Sequence, residues 1–292
     1  MRYTLQNSVL KVEIDSFGAE IKSIYSKAKD QDYLWNGDKK YWGRTSPVLF
    51  PFVGSLKNKE YHYQGKTYQM GQHGFARDME HQMTNQNDTS IWFELSSTEE
   101  TLAKYPFPFT LRIGYELGEN SVKVLWKVKN TGNAPMYFSI GAHPAFLCPI
   151  HGESDKSGYK LYFSGLNKVH HHGNDVAAGL ALDEDLVLPL ENHYATITPD
   201  FFDRCTYMIE GNQTKEVGIA DPDGRRYVTV HFDTPLFAIW SPEGKNAPFV
   251  CIEPWYGRCD SMDFQGELQD REYENLLNAE ELFERSYRME FN

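Results

Sequence analysis

Apolar and polar residues alternate with a period of two over much of the chain. From Phe109 to Leu117 the run places Phe109, Leu111, Ile113, Tyr115 and Leu117 on one side of an extended backbone. Val122, Val124, Trp126 and Val128 alternate with Lys123, Leu125, Lys127 and Lys129. Leu10, Val12 and Ile14 do the same near the start, and Tyr287, Met289 and Phe291 at the end. Successive side chains of a strand point to opposite faces, so this alternation predicts strands with one face on a core and one in water. Turn residues separate the runs at Leu117-Gly-Glu-Asn120, Asn130-Thr-Gly-Asn133 and Asp221-Pro-Asp-Gly224. Helical spacing is weak, and short helices are expected only at Ser97–Lys104 and Glu272–Leu277. Tyr105-Pro-Phe-Pro-Phe109 reads as the lead into a strand. Many short strands with polar turns predict an all-β fold, a sandwich or barrel of antiparallel sheets. No linker or internal repeat divides the chain, so residues 1–292 read as a single domain. The last strand, Arg285–Phe291, then packs its apolar face on the body.

Composition narrows the function classes. The chain has 292 residues, 24% charged and 40% hydrophobic, an ordinary globular balance. A chain of this length buries enough surface to fold without disulfides or a structural metal. The net charge of −12 repels phosphate backbones, and no Lys/Arg block offsets it. Nucleic acids and anionic membranes are therefore not expected partners. The start, MRYTLQNSVLKVEID, lacks the basic-then-apolar order of a signal peptide. No apolar stretch approaches a bilayer span. Cys148, Cys205, Cys251 and Cys259 show no C-x-x-C spacing and read as reduced thiols of a cytoplasmic protein. No zinc site is expected from them.

Chemistry-bearing residues collect where the alternation breaks. Four segments stand out: Tyr41–Gly54, Gly71-Gln-His-Gly-Phe-Ala-Arg77, Gly141-Ala-His-Pro-Ala-Phe146 and Cys251-Ile-Glu-Pro-Trp-Tyr-Gly257. In the second and third, a histidine sits among Gly, Ala and Pro. Such residues end a strand and present the next side chain at a rim or cleft. In the fourth, Glu253 follows an apolar residue, and Pro254 is expected to force the chain out of its strand. Trp255 and its aromatic neighbour offer a platform for the apolar face of a sugar ring. Each of these has a plain structural reading: a turn histidine, an acid paired with an arginine, or Arg44 and Arg77 stacked on aromatics. Together, His73, His143 and Glu253 are the parts of a general acid–base pair with a helper. The run His170-His-His172 is a poor metal site, because consecutive strand residues face opposite ways. No G-x-G-x-x-G, P-loop or H-E-x-x-H occurs.

The segments SPVLFPFVG, HGFAR, GAHPAF and IEPWYG, with the opening SVLKVEIDSFGAEIKSI, resemble the aldose 1-epimerase (galactose mutarotase) superfamily. The closest likeness is to a bacterial branch associated with lactose or hexose metabolism. The resemblance implies a large antiparallel β-sandwich of the galactose mutarotase type, a sugar cleft on one sheet and no cofactor. It implies that Glu253 is the general base and His143 the general acid on the ring oxygen. His73 would stabilise charge, and Arg44, Arg77, Asp203 and Trp255 would contact the sugar. It implies no metal. The chain departs from the galactose-type motifs after His143-Pro144 and in Leu49-Phe-Pro-Phe-Val-Gly54, which bears on the sugar more than on the reaction.

The expected reaction interconverts the α and β anomers of an aldohexose such as galactose or glucose. Glu253 takes the O1 proton and His143 protonates the ring oxygen. This scheme expects an ionised Glu253 and a protonated His143 at rest, the carboxylate raising the imidazole. Two alternatives stand beside it: a hexose-6-phosphate mutarotase, using Arg44, Lys57 and Arg77 for the phosphate, and a non-catalytic carbohydrate-binding or sensor protein on the same fold. The expected partner is a small sugar, possibly phosphorylated, bound by a monomer or homodimer.

Overall fold

The computed structural model describes residues 1–292. Strands dominate, as the alternation predicts. A nine-stranded antiparallel sheet runs in the order Tyr194–Thr196, Lys160–Phe163, Glu216–Ala220, Arg226–Phe232, Leu282–Phe291, Ser121–Asn130, Phe109–Leu117, Ser90–Ser96, Gln82–Gln86. The C-terminal strand is central in it, bonded on one side to Ser121–Asn130 and on the other to Arg226–Phe232. A second sheet runs Tyr207–Glu210, Leu236–Trp240, Phe249–Tyr256, Ile140–Ala142, Val48–Leu49, with Ala145–Leu147 also on Phe249–Tyr256. The first residues form a four-stranded sheet of Arg2–Gln6, Leu10–Asp15, Glu20–Ser26 and Gln31–Asp32.

A core cluster of 63 buried residues lies between these layers. Phe109, Leu111, Ile113 and Tyr115 enter it from one strand and Val122, Val124, Trp126 and Val128 from the next. Ring contacts tie the sheets together: Trp126 to Tyr256 at 6.3 Å, Phe232 to Phe237 at 4.9 Å, Phe50 to Phe109 at 5.0 Å. Burying one such aromatic side chain contributes roughly 1.5–3 kcal/mol. The alternation of the last strand lapses at Arg285, whose guanidinium covers Phe283 at 5.1 Å instead of a core residue filling the place.

The α-helix falls at Glu99–Lys104, where Thr98 and Thr101 form a reciprocal cap. The helix expected at Glu272–Leu277 does not form. Tyr273 has φ +58°, and Asn275–Leu277 pairs as a strand with Met136–Phe138. Tertiary contacts override the local spacing there. Glu274 is drawn into a buried contact with Arg271 and Ser139, and the Asn275 amide donates to the carbonyls of Phe138 and Tyr256.

A second expectation also fails: Pro254 does not end its strand, which continues to Tyr256. Pro254 has Phe237 as its partner on one side, and the neighbouring strand is itself interrupted at His143–Pro144 beside it. All four cysteines are buried and free. No helix is long and apolar enough to cross a membrane.

Candidate active site

All eight residues of Phe249–Tyr256 are buried, yet its two faces differ. Val250, Ile252 and Tyr256 enter the main core. Phe249, Cys251, Glu253 and Trp255 point the other way, by the strand period of two. On that side a cleft of about 310 Å³ is lined by Glu253, Trp255, His143, His73, Arg77 and Trp240, among others. Gly141 makes room for Trp255: a Cβ there would stand 2.6 Å from the indole Cδ1.

The register places the acid–base groups face to face. Gly141 pairs with Trp255 and Ala145 with Cys251, so the pairing keeps one register across the break. His143 thus falls opposite Glu253, with Nε2 at 3.3 Å from Oε2. On the far side of Glu253 stands Ala238, whose small side chain leaves the space open. The break itself is held by the segment before residue 50: His143 N donates to Pro47 O at 3.2 Å and Ala145 N to Thr45 O at 2.9 Å. That segment hangs on buried Glu20, whose Oε1 accepts from the backbone N–H of Thr45 at 2.7 Å and of Ser46 at 3.0 Å.

Trp42 stacks on the His143 ring at 4.7 Å, and Trp240 meets it edge-on at 5.3 Å. His73 stands edge-on at 5.6 Å. The His73 backbone has φ +63° and is clasped by Gly54. Its N–H donates to Gly54 O at 2.8 Å, and its Nδ1 accepts from Gly54 N at 3.0 Å. Neutral His73 therefore carries its proton on Nε2, as a donor. Gly74 follows at φ +67°, where a Cβ would meet Phe50 O at 2.3 Å, so the His-Gly order is a steric requirement.

Burial governs the charges. It pushes the Glu253 carboxyl well above the usual carboxylate range. It pushes His143 down to about 3, helped by the Arg77 charge. His73 is driven well below its ordinary value by burial first, then by Arg77 and His143. The expected resting state, an ionised glutamate beside an imidazolium, is thereby corrected. In the closed cleft both groups are pushed toward their neutral forms, with the proton on Glu253. Desolvation penalises both charges, and this outweighs their mutual attraction.

The structure brings together Glu253, His143, His73, Arg77 and Trp255. Arg77 donates to Gln72 O at 2.8 Å, while its buried Nε makes no hydrogen bond and lies 3.8 Å from Asp78. Burial and neighbouring Arg44 lower the Arg77 pKa to about 10. Arg44 and Asp203 are not part of the cleft lining. Arg44 is paired with Asp78 at 2.7 Å. Asp203 accepts from Gly244 N at 3.1 Å, bracing the hairpin that carries cleft residue Glu243. His170 is engaged by Asp185 at 3.0 Å, away from the cleft.

Trp42, Gln72, Asn174, Thr206 and Glu243 also line the cleft and escaped sequence reasoning. Trp42 and Gln72 lie inside segments marked by broken alternation. Asn174 comes from a two-residue strand and Thr206 and Glu243 from loops, and their sequence carries no comparable signal. A metal ion would find donors only at His143, Cys251 and Glu253.

The sequence profile of the aldose 1-epimerase family matches residues 1–265. The chain is 31% identical over 283 residues to the chromosomal Protein LacX of Lactococcus lactis subsp. lactis, covering 93% of each chain. Among solved structures, a galactose mutarotase related enzyme from Lactobacillus acidophilus superposes with a TM-score of 0.94 at 34% identity, covering 100% of this chain and 97% of that one. A galactose mutarotase-like protein from Lactobacillus casei gives a TM-score of 0.92 at 29% identity, covering 100% of both chains.

Proposed function

The chain belongs to the aldose 1-epimerase family, and from that premise we propose that it interconverts the α and β anomers of an unphosphorylated aldohexose such as galactose or glucose. The observation that carries this reading is the buried Glu253–His143 pair, 3.3 Å apart across two strands in the floor of a sugar-sized cleft.

The pair holds one proton. With that proton on His143 Nε2, Glu253 is a carboxylate and can accept the O1 proton while the imidazolium protonates the ring oxygen. The C1–O5 bond breaks and an aldehyde forms at C1. Glu253 is then a carboxylic acid and His143 neutral, which is the state burial favours. Reaching the charged pair from the neutral pair costs what ring opening then returns, so burial keeps the ion pair a transient of the reaction. Rotation about C1–C2 exposes the other carbonyl face, and the two proton transfers run backwards to close the ring. His73 Nε2–H and Arg77 supply hydrogen-bond donors for oxygens that gain charge. Trp42, Trp240 and Trp255 keep water from the pair and offer apolar faces to the ring. The whole chain, 1–292, acts as one domain in this reading, since strands from both ends share the main core.

Charge favours a neutral sugar over a 6-phosphate. Arg44 is committed to Asp78, and Lys57 Nζ donates to Phe264 O at 2.9 Å. That leaves Arg77 as the cleft's cation, facing a cleft that also holds Glu243. A phosphate dianion commonly takes more than one such donor.

The test is NMR anomer exchange over glucose, galactose and their 6-phosphates. Acceleration is expected for one or both free sugars and not for the phosphates. Saturable sugar binding with no acceleration would replace this reading with a sensor or binding protein, and acceleration confined to the phosphates would restore the phosphosugar alternative.

A further inference from the structure

We propose that His143, Cys251 and Glu253 form a binding site for a zinc-class divalent cation, and that its occupation shuts off the acid–base pair. The site needs no new element. Cys251 and Glu253 are two residues apart on one strand and so project from the same face. His143 stands in the break of the neighbouring strand, in register with Glu253. One donor atom from each of the three lies within 4.8 Å of the others.

The geometry suits a tetrahedral ion. Zinc bound to N at about 2.0–2.1 Å and S at about 2.3 Å holds its ligand atoms roughly 3.3–3.7 Å apart. His143 Nε2 and Glu253 Oε2 are already separated by 3.3 Å. The thiol, within 4.8 Å of both, has to close in by at most about 1.5 Å. Glu253 Oε2 is buried and without a hydrogen bond of normal geometry, facing His143 Nε2 at 3.3 Å. His143, Cys251 and Glu253 are all buried, at 7%, 0% and 1% exposure, which keeps competing water away. His143 and Glu253 line the cleft, which gives a fourth ligand, water or a sugar hydroxyl, its way in.

The ion would stand where the shared proton stands. Binding releases that proton and the thiol proton to solvent, and no electron moves. With both Glu253 and His143 committed to the metal, neither can exchange a proton with O1 or O5. The inhibitory half of this inference rests on the mutarotase reading; the binding half does not.

The test uses the full chain stripped of metal with EDTA. Co²⁺ titration is expected to saturate at one equivalent and to give a thiolate-to-cobalt absorption band in the near ultraviolet. Zn²⁺ should displace the cobalt, slow anomer exchange, and lose its effect when EDTA is added. Cys251→Ser should abolish the band and weaken Zn²⁺ binding at least about 10-fold. His143→Asn, as a second ligand variant, should weaken it similarly. His170→Asn, in the separate histidine run, should leave band and affinity unchanged.

No binding at millimolar Zn²⁺ would overturn the proposal. So would binding that survives Cys251→Ser and His143→Asn but is lost in His170→Asn. Because cobalt binding is read without sugar, the two readings fail separately. A protein that shows the band yet exchanges no anomers keeps the metal site and loses the mutarotase. A protein whose anomer exchange is indifferent to saturating Zn²⁺ keeps the mutarotase and loses this inference.

Discussion

The strands Phe109–Leu117 and Phe249–Tyr256 sit in different sheets and obey the same period, yet only one of them looks amphipathic. In Phe109–Leu117 the outward residues include Arg112 and Glu116, and Arg112 is paired with Glu94 at 2.6 Å in water. In Phe249–Tyr256 every residue is buried. Its second face carries Glu253 and Trp255 into the cleft, with Cys251 beside them in an apolar cluster of Trp35, Ala145, Ala247 and Phe249. The difference is what covers the second face. Solvent demands polar residues and so writes an alternation into the sequence. A cleft walled by indoles demands nothing regular, and the acid at 253 is the only sign that one face is special.

The largest effects should come from breaking the cleft face while sparing the core face. Glu253→Gln and His143→Asn are each expected to slow anomer exchange by about 10²–10⁴-fold, with sugar binding and thermal unfolding still measurable. Polarimetry or NMR exchange reads the rate, and either variant keeping full activity would remove that residue from the acid–base pair.

The reverse experiment breaks the core face. Trp126→Ala removes a fully buried indole that packs on Tyr256. It should cost about 3–5 kcal/mol, a fall in Tm of roughly 5–8 °C by calorimetry. Exchange per folded molecule should change by less than about 3-fold, since the two sites are not neighbours. A catalytic loss as large as that of Glu253→Gln would show that the faces are not separable.

A smaller effect should come from the scaffold that joins them. Glu20 holds Thr45 and Ser46, which in turn hold the break at His143. Glu20→Ala should lower kcat about 10-fold and stability by about 1–3 kcal/mol, with KM little changed. Glu20→Gln keeps one acceptor and should recover part of kcat. A fall in KM affinity with kcat intact would instead make Glu20 part of the sugar site.

The pH profile sharpens the comparison most gently. His143 is pushed down to about 3 and Glu253 is pushed up, so across neutrality the pair keeps one proton and the rate should be flat. It should fall as pH drops toward about 3, when the pair gains a second proton, and again when pH rises past the elevated Glu253 value. An inflection near the ordinary histidine value of 6.5 would mean the cleft is wet. Stability follows the same sign. A raised carboxyl contributes fully below its unfolded value and loses that contribution as pH rises. Glu253→Gln should therefore gain stability relative to the wild type as pH rises above the ordinary carboxylate range, read by thermal unfolding across pH.

The sequence by itself determined the all-β class, the position and facing of the amphipathic strands, the capped helix before Tyr105 and the three residues that meet at 3–6 Å in the cleft floor. These are local: period two, turn residues, and polar side chains set among Gly and Pro. It misjudged Glu272–Leu277 and the run through Pro254, because Glu274, Asn275 and Pro254 are fixed by partners far along the chain. Of the expected sugar contacts, Arg44 and Asp203 lie outside the cleft lining, one paired with Asp78 and the other accepting from Gly244 N. Only the tertiary structure decided that His143 faces Glu253, that Trp42 and Trp240 enclose the ring, and that burial pushes both groups toward their neutral forms. The physical reason is common to all three. Register across strands and exclusion of water arise when distant segments pack, and a sequence read one window at a time contains neither.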